Sequence, residues 1–491
     1  MEARAEYVQA NQVMAEKSFI GIDVGTQGVR AALVSDRGTV LGEAVRGFNL
    51  TPAARQEQSP DDWWERTTEV LDELMQSLPP AFNRDHVLAV GVDSTSGTVI
   101  PLDKGDKPLH PAIMYGDQRS AEEGRECKAI AERFVHNGYT GFNASSGLAK
   151  IVWFVRQYPD KVPAIRKWVH AADYLVGKLS GIYDMTDYTN ALKSGYDVSV
   201  YGWPAYLTTH LPLQRDWFQQ VVPSGTAIGY LTDELIARWG LSNAQVVVGM
   251  TDGCASQLAA GAVEPGDWNT TIGTTLVIKG VTTRAVNDAA GRLYSHRHPD
   301  GYWMPGGASN TGADWVSTDF GRDLSQLDED ARNCIPTGLL AWPLKQRGER
   351  FPFVAPQAEG FVPDGLGQAE RFAACMEGVA YMERMAYELI ERLSGERVAA
   401  VYTAGGGSNS DTWLTIRASV LNRPIYKCKE ASGAVGAAIG AASKTHFNSV
   451  AAAARQMTAI EKEIRPEKSL VAVYEIVYHR FIEELKRRKY S

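Results

Sequence analysis

The sequence predicts an α/β protein made of two similar domains, and three observations lead to this prediction. Its 491 residues exceed one ordinary domain and suit two domains of roughly 200–250 residues each. A strand–turn–strand pattern with a Gly-Thr turn occurs twice, near the start and near the middle. After each of these hairpins the chain continues into helices and further buried strands.

The first half opens with three short strands separated by turns. SFIGIDV begins at Ser18 and ends before Gly25, RAALVSD follows the turn GTQG, and TVLGEAV follows the next turn. A helix is predicted after them, because Ser59 can cap it and Pro60 occupies its first position. VLAVGVD, which ends at Asp93, has the composition of a buried strand.

The second half repeats this organisation. AQVVVGM is a predicted strand that ends before Thr251, and WNTTIGTTLVIKGV is again a strand, a Gly-Thr turn and a strand. A long amphipathic helix is predicted from Gln368 to Ser394. VAAVYTA then leads into three consecutive glycines, and RPIYKCK and SGAVGAAIGAA add a strand and a helix of small residues.

Composition and charge exclude several classes of protein. The formal net charge is −8, so we expect no nucleic-acid partner, and the basic run Lys486–Lys489 is interpreted as a solvated last helical turn. The five cysteines lack the paired spacing of a zinc site or a disulfide framework. We predict a soluble cytoplasmic protein without a membrane span. The first seventeen residues lack a secretory pattern and are predicted to be a disordered or weakly helical leader.

The two Gly-Thr hairpins are candidate phosphate sites. Glycine permits close backbone approach, so backbone N–H groups and a threonine hydroxyl at such a turn can hold phosphate oxygens. The chain contains no GxxxxGK[ST] sequence, and each glycine turn leads into a strand, so neither a P-loop nor a dinucleotide fingerprint is present. A plain hairpin turn is the alternative for either copy alone.

The three consecutive glycines form the third candidate site. Gly405, Gly406 and Gly407 stand between a predicted strand and a predicted helix. Such a loop lets the chain pass close to a ligand at the N-terminus of the helix. A flexible loop without a ligand is the alternative.

Together these segments resemble the FGGY family of carbohydrate kinases, nearly from Ser18 to Lys444. The resemblance is carried by GIDVGTQGVR, PAIMYGDQR, TDYTNA, GMTDGCASQLAAGA, NTTIGTT, GLLAWPLKQRGERFPF, EGVAYMER and GGGSNSDTWLTIRASVLNRPI. It implies two actin-like (ribonuclease H-like) ATPase domains flanking a central cleft, ATP and Mg²⁺ as cofactors, and a small sugar as substrate. A homodimer is left open.

The resemblance also implies domain boundaries. A sugar-binding domain is expected over residues 18–258 and an ATP-binding domain over residues 259–465. Residues 466–491 are expected to form a C-terminal helix, for which the resemblance suggests packing against the first domain.

The resemblance assigns site residues position by position. Asp252 is the expected catalytic base, and Asp23 and Asp252 are the expected magnesium ligands. The residues expected to bind sugar are Asp23, Ser96, Tyr115, Asp117 and Asp252. The residues expected to bind ATP or its phosphates are Gly25, Thr26, Gln27, Gly273, Thr274, Thr275, Gly405, Gly406, Gly407 and Ser410. Arg119 either lines the sugar pocket or forms a structural ion pair.

Departures from the family's patterns bear on the substrate. The segment VDSTSGTVIPLD lacks the Arg-Glu pair of glycerol kinases, so glycerol is disfavoured, and it also lacks the Gln-Met-His of xylulokinases. TSGTV is more similar to a ribulose-kinase-like branch, and small hydroxyl side chains suit a neutral ketose. We therefore predict a kinase for a pentulose, D-ribulose or D-xylulose. The open alternatives are a tetritol, hexulose or heptulose kinase and an actin- or chaperone-like ATPase.

Overall fold

The structure is a computed structural model that describes residues 16–286, 288, 290–321 and 324–491. Nearly all of the expected leader therefore lies outside the described residues.

The strands up to residue 251 are β1 (Ser18–Val24), β2 (Gly28–Ser35), β3 (Val40–Gly47), β4 (Glu57–Gln58), β5 (Val87–Ser94), β6 (Val99–Leu102), β7 (Ala112–Ile113), β8 (Lys167–His170), β9 (Met185–Asp187), β10 (Gln220–Val222), β11 (Ala227–Tyr230), β12 (Gln245–Val247) and β13 (Met250–Thr251). The later strands are β14 (Asp267–Ile272), β15 (Leu276–Gly280), β16 (Tyr294–Arg297), β17 (Trp303–Ser309), β18 (Ala400–Ala404), β19 (Ile425–Cys428) and β20 (Ile460–Ile464).

The helices up to residue 259 are α1 (Pro60–Ser77), α2 (Ala121–Phe134), α3 (Gly147–Gln157), α4 (Ala171–Ser180), α5 (Tyr188–Ala191), α6 (Tyr206–Thr209), α7 (Asp233–Trp239) and α8 (Asp252–Ala259). The later helices are α9 (Asp314–Asp319), α10 (Ser325–Arg332), α11 (Gln368–Ser394), α12 (Asp411–Leu421), α13 (Gly433–Thr445), α14 (Val450–Met457) and α15 (Lys468–Arg487).

Two helices bear out particular sequence patterns. The Ser59 hydroxyl accepts the N–H of Asp62 at 3.2 Å and so caps α1, as predicted. The predicted helix from Gln368 to Ser394 is α11, which ends at Gly395 in a left-handed conformation. Both ends follow the usual capping chemistry of helices.

The chain forms two compact units, and it passes between them more than once. The first unit contains the chain up to Ala259 together with His296–Gly301 and Glu430–Ala459. The second contains Ala260–Ser295, Tyr302–Lys429 and Ile460–Ser491. The expected domains, 18–258 and 259–465, differ from these units because residues 430–459 join the first unit.

The two large sheets share one topology. In the first unit β1 forms an antiparallel hairpin with β2, which pairs with β3, and β1 is parallel to β5, which is parallel to β12. In the second sheet β14 forms an antiparallel hairpin with β15, which pairs with β17, and β14 is parallel to β18, which is parallel to β19. The order and directions are those of the first sheet. An antiparallel edge strand then follows in each sheet, β11 beside β12 and β20 beside β19. The predicted similarity of the two halves is therefore confirmed.

Helix α13 belongs to the first unit because it packs closely on the glycines of that unit's central strands. A Cβ added to Gly21 would lie 1.8 Å from the carbonyl oxygen of Ala434, and one added to Gly91 would lie 2.6 Å from that of Ala437. The helix is rich in small residues, so its backbone approaches the sheet directly.

The C-terminal helix α15 packs within the second unit, and the expectation that it packs against the first domain is wrong. Its buried side chains, among them Tyr474, Tyr478 and Phe481, are part of the second unit's hydrophobic core. The Tyr474 hydroxyl also donates a hydrogen bond to Glu377 of α11 at 3.0 Å. Burial of these aromatic rings is the physical reason for this location.

Candidate functional site

Three aspartates meet at one edge of the first sheet. Asp23 on β1 is paired in register with Asp93 on the parallel strand β5. Asp93 is in turn paired with Met250 of β13, and Asp252 begins α8 directly after that strand. Parallel strands end at the same edge of a sheet, so the three carboxyl groups come close together.

Burial and mutual repulsion raise the pKa of two of these groups. The pKa of Asp23 is raised by burial and by the charge of Asp252, while a hydrogen bond with Asp93 lowers it. The pKa of Asp93 is raised well above its ordinary value by burial and by the charges of Asp23 and Asp252. No N–H or hydroxyl group of the described residues donates to the buried Asp93 carboxyl. Burial and the two neighbouring charges therefore favour the protonated form of Asp93, which can share its proton with Asp23.

The N-terminus of α13 holds Asp23 in place. A Cβ added to Gly433, the first residue of that helix, would lie only 2.6 Å from the Asp23 Oδ2 atom. Ser432 caps the helix by accepting the N–H of Val435. The positive end of the helix dipole thus faces a carboxylate, which stabilises its charge.

The first hairpin turn, between β1 and β2, is ordered by hydrogen bonds from its own unit. The Gly25 N–H donates to the Gly28 carbonyl at 3.1 Å, and Gln58 Nε2 donates to the Thr26 carbonyl at 3.1 Å. The Gln27 carbonyl accepts the Phe48 N–H at 2.8 Å. Gly25 and Thr26 are half-buried and the Gln27 side chain is exposed.

The turn between β5 and β6 carries small hydroxyl side chains beside the aspartates. Ser94 Oγ donates to the Val24 carbonyl at 2.7 Å, and Thr95 and Thr98 share a hydrogen bond of 2.8 Å. Ser96 Oγ is buried, and no other group of the described residues forms a hydrogen bond with it. A buried hydroxyl without a partner is costly, so Ser96 is a candidate to bind a hydroxyl group of a ligand.

The aromatic-x-Asp-x-Arg segment forms an ion pair and one exposed ring. Arg119 donates to both carboxylate oxygens of the buried Asp117 at 2.7–3.1 Å and to Glu57 at 2.6 Å. The hydrogen bond with Asp117 is the main cause that raises the pKa of Arg119. This geometry favours the structural ion pair for Arg119, and the sugar contact of Asp117 stays a prediction. Tyr115 is 41% exposed, and its backbone N–H donates to Thr98 Oγ1 at 3.1 Å.

A buried lysine lies near this ion pair. Lys150 is fully buried on α3, and its Nζ donates to the Ala144 carbonyl. Burial lowers its pKa to about 7, although the charge of Asp117 opposes that shift. Sequence reasoning missed Lys150 because its neighbours on α3 are almost all apolar.

The second unit contains a cavity of about 1050 Å³ that brings the second hairpin and the three-glycine loop together. Gly273 contributes to its lining from the hairpin, and Gly406, Gly407 and Ser410 contribute from the loop. Thr274 and Thr275 belong to the same turn, but they are not among the described residues that line the cavity. The volume is that of a site for a ligand as large as a nucleotide.

The glycines of this loop are required by its backbone. Gly405 has φ of 82°, and a Cβ there would lie 2.6 Å from the Ile272 carbonyl oxygen. Gly407 packs so closely on Ile272 that a Cβ would lie 2.8 Å from that residue's own Cβ. Ser410 caps α12 by accepting the Trp413 N–H at 2.9 Å, and its hydroxyl donates to Asp328. The loop is therefore an ordered entry to a helix rather than a flexible link.

The acidic cluster fits a magnesium ion only in company with another ligand. Among the described residues there is no group of three or more acidic, histidine or cysteine side chains placed to hold a metal ion. Mg²⁺ prefers one or two carboxylates together with phosphate oxygens and water. Asp23 and Asp252, whose charges repel each other, match that preference.

Sequence reasoning named Asp23 and Asp252 as site residues, which stays a prediction, and it did not name Asp93 or Gly433. Asp93 and Asp23 are each the penultimate residue of a buried apolar strand, and this parallel was the available signal. No described helix is both long enough and apolar enough to cross a bilayer.

Two family models match this chain. The N-terminal domain of the FGGY family of carbohydrate kinases matches residues 18–259, and the C-terminal domain of that family matches residues 268–445. A gluconokinase of Bacillus licheniformis is 27% identical over 440 residues, which are 83% of each chain.

Xylulose kinases are similar over a greater length. The enzyme of Bacillus subtilis (strain 168) is 27% identical over 496 residues, covering 94% of this chain and 95% of its own. The crystal structure of the xylulose kinase from Rhodospirillum rubrum superposes with a TM-score of 0.84 at 26% identity, covering 96% of this chain and 99% of that one.

Proposed function

Because this chain belongs to the FGGY family of carbohydrate kinases and is therefore a phosphotransferase, we propose that it transfers the γ-phosphoryl group of ATP to a primary hydroxyl of a pentulose, D-ribulose or D-xylulose. Kinases of this family use ATP and have the two-domain actin-like ATPase fold, so the predicted α/β class with two actin-like domains is confirmed. Family membership also removes the chaperone-like ATPase from the alternatives.

The catalytic base in this proposal is Asp252. A sugar hydroxyl is a weak nucleophile until an acceptor takes its proton, and a carboxylate at the end of a strand is suited to that role. Asp23, held between Asp93 and Gly433, positions the reacting groups. N–H groups of the two Gly-Thr turns other than those of Gly25 and Gly273, which donate within their own turns, stabilise charge on the phosphates.

Mg²⁺ is the proposed metal, with Asp23 and Asp252 as the residues that hold it. When bound, it neutralises charge on the transferred phosphates. We also propose a cytoplasmic location, where ATP and free sugars are both available.

The observation that supports a pentulose is the buried Ser96 hydroxyl without a partner, in a turn of small uncharged side chains. A neutral ketose presents hydroxyl groups that can complete such a hydrogen bond. Relatives named for gluconate and for xylulose make these two the acceptors to compare.

A coupled ATP-depletion screen tests the proposal. Purified protein is assayed with D-ribulose, D-xylulose, tetritols, hexuloses, a heptulose, gluconate and glycerol. We expect a pentulose to give the highest kcat/KM. A preference for gluconate, glycerol or another acceptor would overturn the pentulose assignment.

The Ser96→Ala variant ties the result to the site. It should raise KM for the preferred pentulose, by about tenfold for a lost hydrogen bond of typical strength. The KM for ATP should not change. Ser145→Ala is the control, since Ser145 Oγ already donates to Asn143 at 2.6 Å.

A further inference from the structure

A buried glutamate in the GERFPF segment has no role in the chemistry described so far. Glu349 is 3% exposed and lies in the second unit. Its Oε1 atom accepts the N–H of Asn310 at 2.7 Å and that of Arg350 at 2.9 Å. Its Oε2 atom accepts the hydroxyls of Ser309 and Thr311, each at 2.8 Å. Charge-assisted hydrogen bonds of this kind are among the strongest in proteins.

These hydrogen bonds fix the segment that follows β17. Ser309, the last residue of β17, also accepts the Thr311 N–H at 3.0 Å. The Thr311 hydroxyl accepts the indole N–H of Trp342 at 2.8 Å. Glu349 is thus the common acceptor of a buried network in which each described donor has a partner, and such networks hold a single geometry.

The same segment supports the second hairpin turn. The Ala313 N–H donates to the Gly273 carbonyl at 2.7 Å. A Cβ added to Gly312 would lie 2.4 Å from the Thr274 carbonyl oxygen, so backbone packs directly on backbone. A shift of residues 309–313 would therefore move the turn.

We propose that Glu349 is a positioning residue for phosphoryl transfer. It fixes Ser309–Ala313, and through Gly312 and Ala313 it holds the turn Gly273–Thr275 in the geometry that binds ATP phosphates. The inference rests on the proposed function, which assigns that turn to the phosphates. Rigid support of this kind matters because misplacement of a binding group by about 1 Å can cost on the order of 10²-fold in rate.

A second buried glutamate in the same unit provides a matched control. Glu377 on α11 is fully buried and accepts the Thr337 N–H and the Tyr474 hydroxyl, each at 3.0 Å, and the Thr337 hydroxyl. Its partners belong to the C-terminal helix and to the loop at residue 337, not to the hairpin. Replacement of its carboxyl group by an amide should therefore weaken folding without moving the turn.

The test compares Glu349→Gln with Glu377→Gln. Glutamine keeps the size of glutamate, but its NH₂ group would face the hydroxyls that donate to Glu349. We expect Glu349→Gln to lower kcat with the preferred sugar by about tenfold or more, with the KM for sugar unchanged. Both variants should lower Tm, and by similar amounts. Glu377→Gln, however, should leave kcat within about twofold of the wild-type value.

Calorimetry supplies a readout that does not need sugar turnover. For Glu349→Gln, the Kd of a non-hydrolysable ATP analogue should rise about tenfold, while the Kd of adenosine should not change. Failure of the wild-type protein to phosphorylate any sugar would overturn the proposed function, whereas this comparison would still decide the role of Glu349.

The inference on Glu349 is overturned if Glu349→Gln changes kcat, the Kd of the ATP analogue and the Kd of adenosine no more than Glu377→Gln does. It is also overturned if adenosine and the ATP analogue weaken equally. If Glu349→Gln does not fold, Ser309→Ala can replace it, because it removes a single donor to Glu349. It should change kcat and the Kd of the ATP analogue in the same directions but by smaller factors.

Discussion

Asp252 begins a helix at the end of a strand, where an aspartate serves either as a base or only as a helix cap. We predict that Asp252→Asn lowers kcat at least about 100-fold, because asparagine keeps the shape but cannot take a proton. Sugar and ATP should still bind in calorimetry. A folded variant with near-normal kcat would leave only the cap, a role that asparagine fills well.

Asp23→Ala is the matched comparison for that prediction. Asp23 is held by Asp93 and by Gly433 at the N-terminus of α13, so its role is positional. The alanine variant should weaken binding of magnesium-ATP or of sugar as well as turnover.

Asp93 makes folding depend on pH. Its pKa in the folded protein lies above the ordinary value of 3.8, so the unfolded chain loses this proton first as pH rises. Its contribution to the free energy of unfolding therefore decreases from about pH 4 upward. We predict that Asp93→Asn has nearly the wild-type Tm at pH 4 and a higher Tm than wild type at pH 7, measured by calorimetry without ligands.

Asp117→Asn is the control for Asp93, because it removes a buried carboxylate that is paired with Arg119. At pH 7 it should lower Tm, since the Arg119 guanidinium loses its buried carboxylate and keeps only Glu57 as an acidic partner. A decrease in Tm for both variants at pH 7 would contradict the raised pKa of Asp93.

The sequence predicted Asp23 and Asp252 because each stands beside a recognisable glycine turn. It could not reveal Asp93 or Gly433, whose roles depend on strand register and on a helix more than 400 residues along the chain from Asp23. Long-range contacts of this kind leave no local pattern. Lys150 was missed because its helix is almost entirely apolar around it.

At the scale of the element, the strand–glycine loop–helix between β18 and α12 can be tested with two neighbouring glycines. Gly405→Ala should destabilise the protein by about 1–3 kcal/mol, because alanine at positive φ is strained and its Cβ would meet the Ile272 carbonyl. Gly406→Ala should cost much less, since no atom lies within 4 Å of its added Cβ. Urea unfolding measures both, and equal costs would contradict the argument.

Most elements followed from local patterns, and the assembly of elements did not. The Gly-Thr hairpins, the cap at Ser59 and the helix from Gln368 to Ser394 were all predicted correctly, because turn chemistry and periodicity act over a few residues. The locations of α13 and α15 differ from the expected ones, which placed α13 in the second domain and α15 against the first. α13 is rich in small residues and α15 is amphipathic, and either kind of helix could pack on either unit. The unit on which each one packs is determined by the shape of the surface that it meets.

At the scale of the molecule, no single cleavage of the chain separates the two units, because each is built from three separate segments. We predict that residues 18–259 alone do not unfold cooperatively, because the face of β1 and β5 that packs on α13 would be exposed. Fusing residues 430–459 to this fragment through a flexible linker should restore a cooperative transition in circular dichroism. Fusing residues 460–491, which belong to the second unit, should not; rescue by both segments would contradict the prediction.

The return of α13 to the first sheet has a consequence for synthesis on the ribosome. At ~5–20 residues per second, the interval between residue 259 and residue 433 lasts roughly 10–35 s. Throughout that time the first sheet is nearly complete in the nascent chain, but its glycine-lined face is exposed. The helix that packs on this face, α13, has not yet been translated. Exposed apolar strands in such an intermediate are prone to aggregate. We therefore expect the emerging polypeptide to depend on chaperones that bind nascent chains, and the dependence should end when the segment containing α13 leaves the exit tunnel.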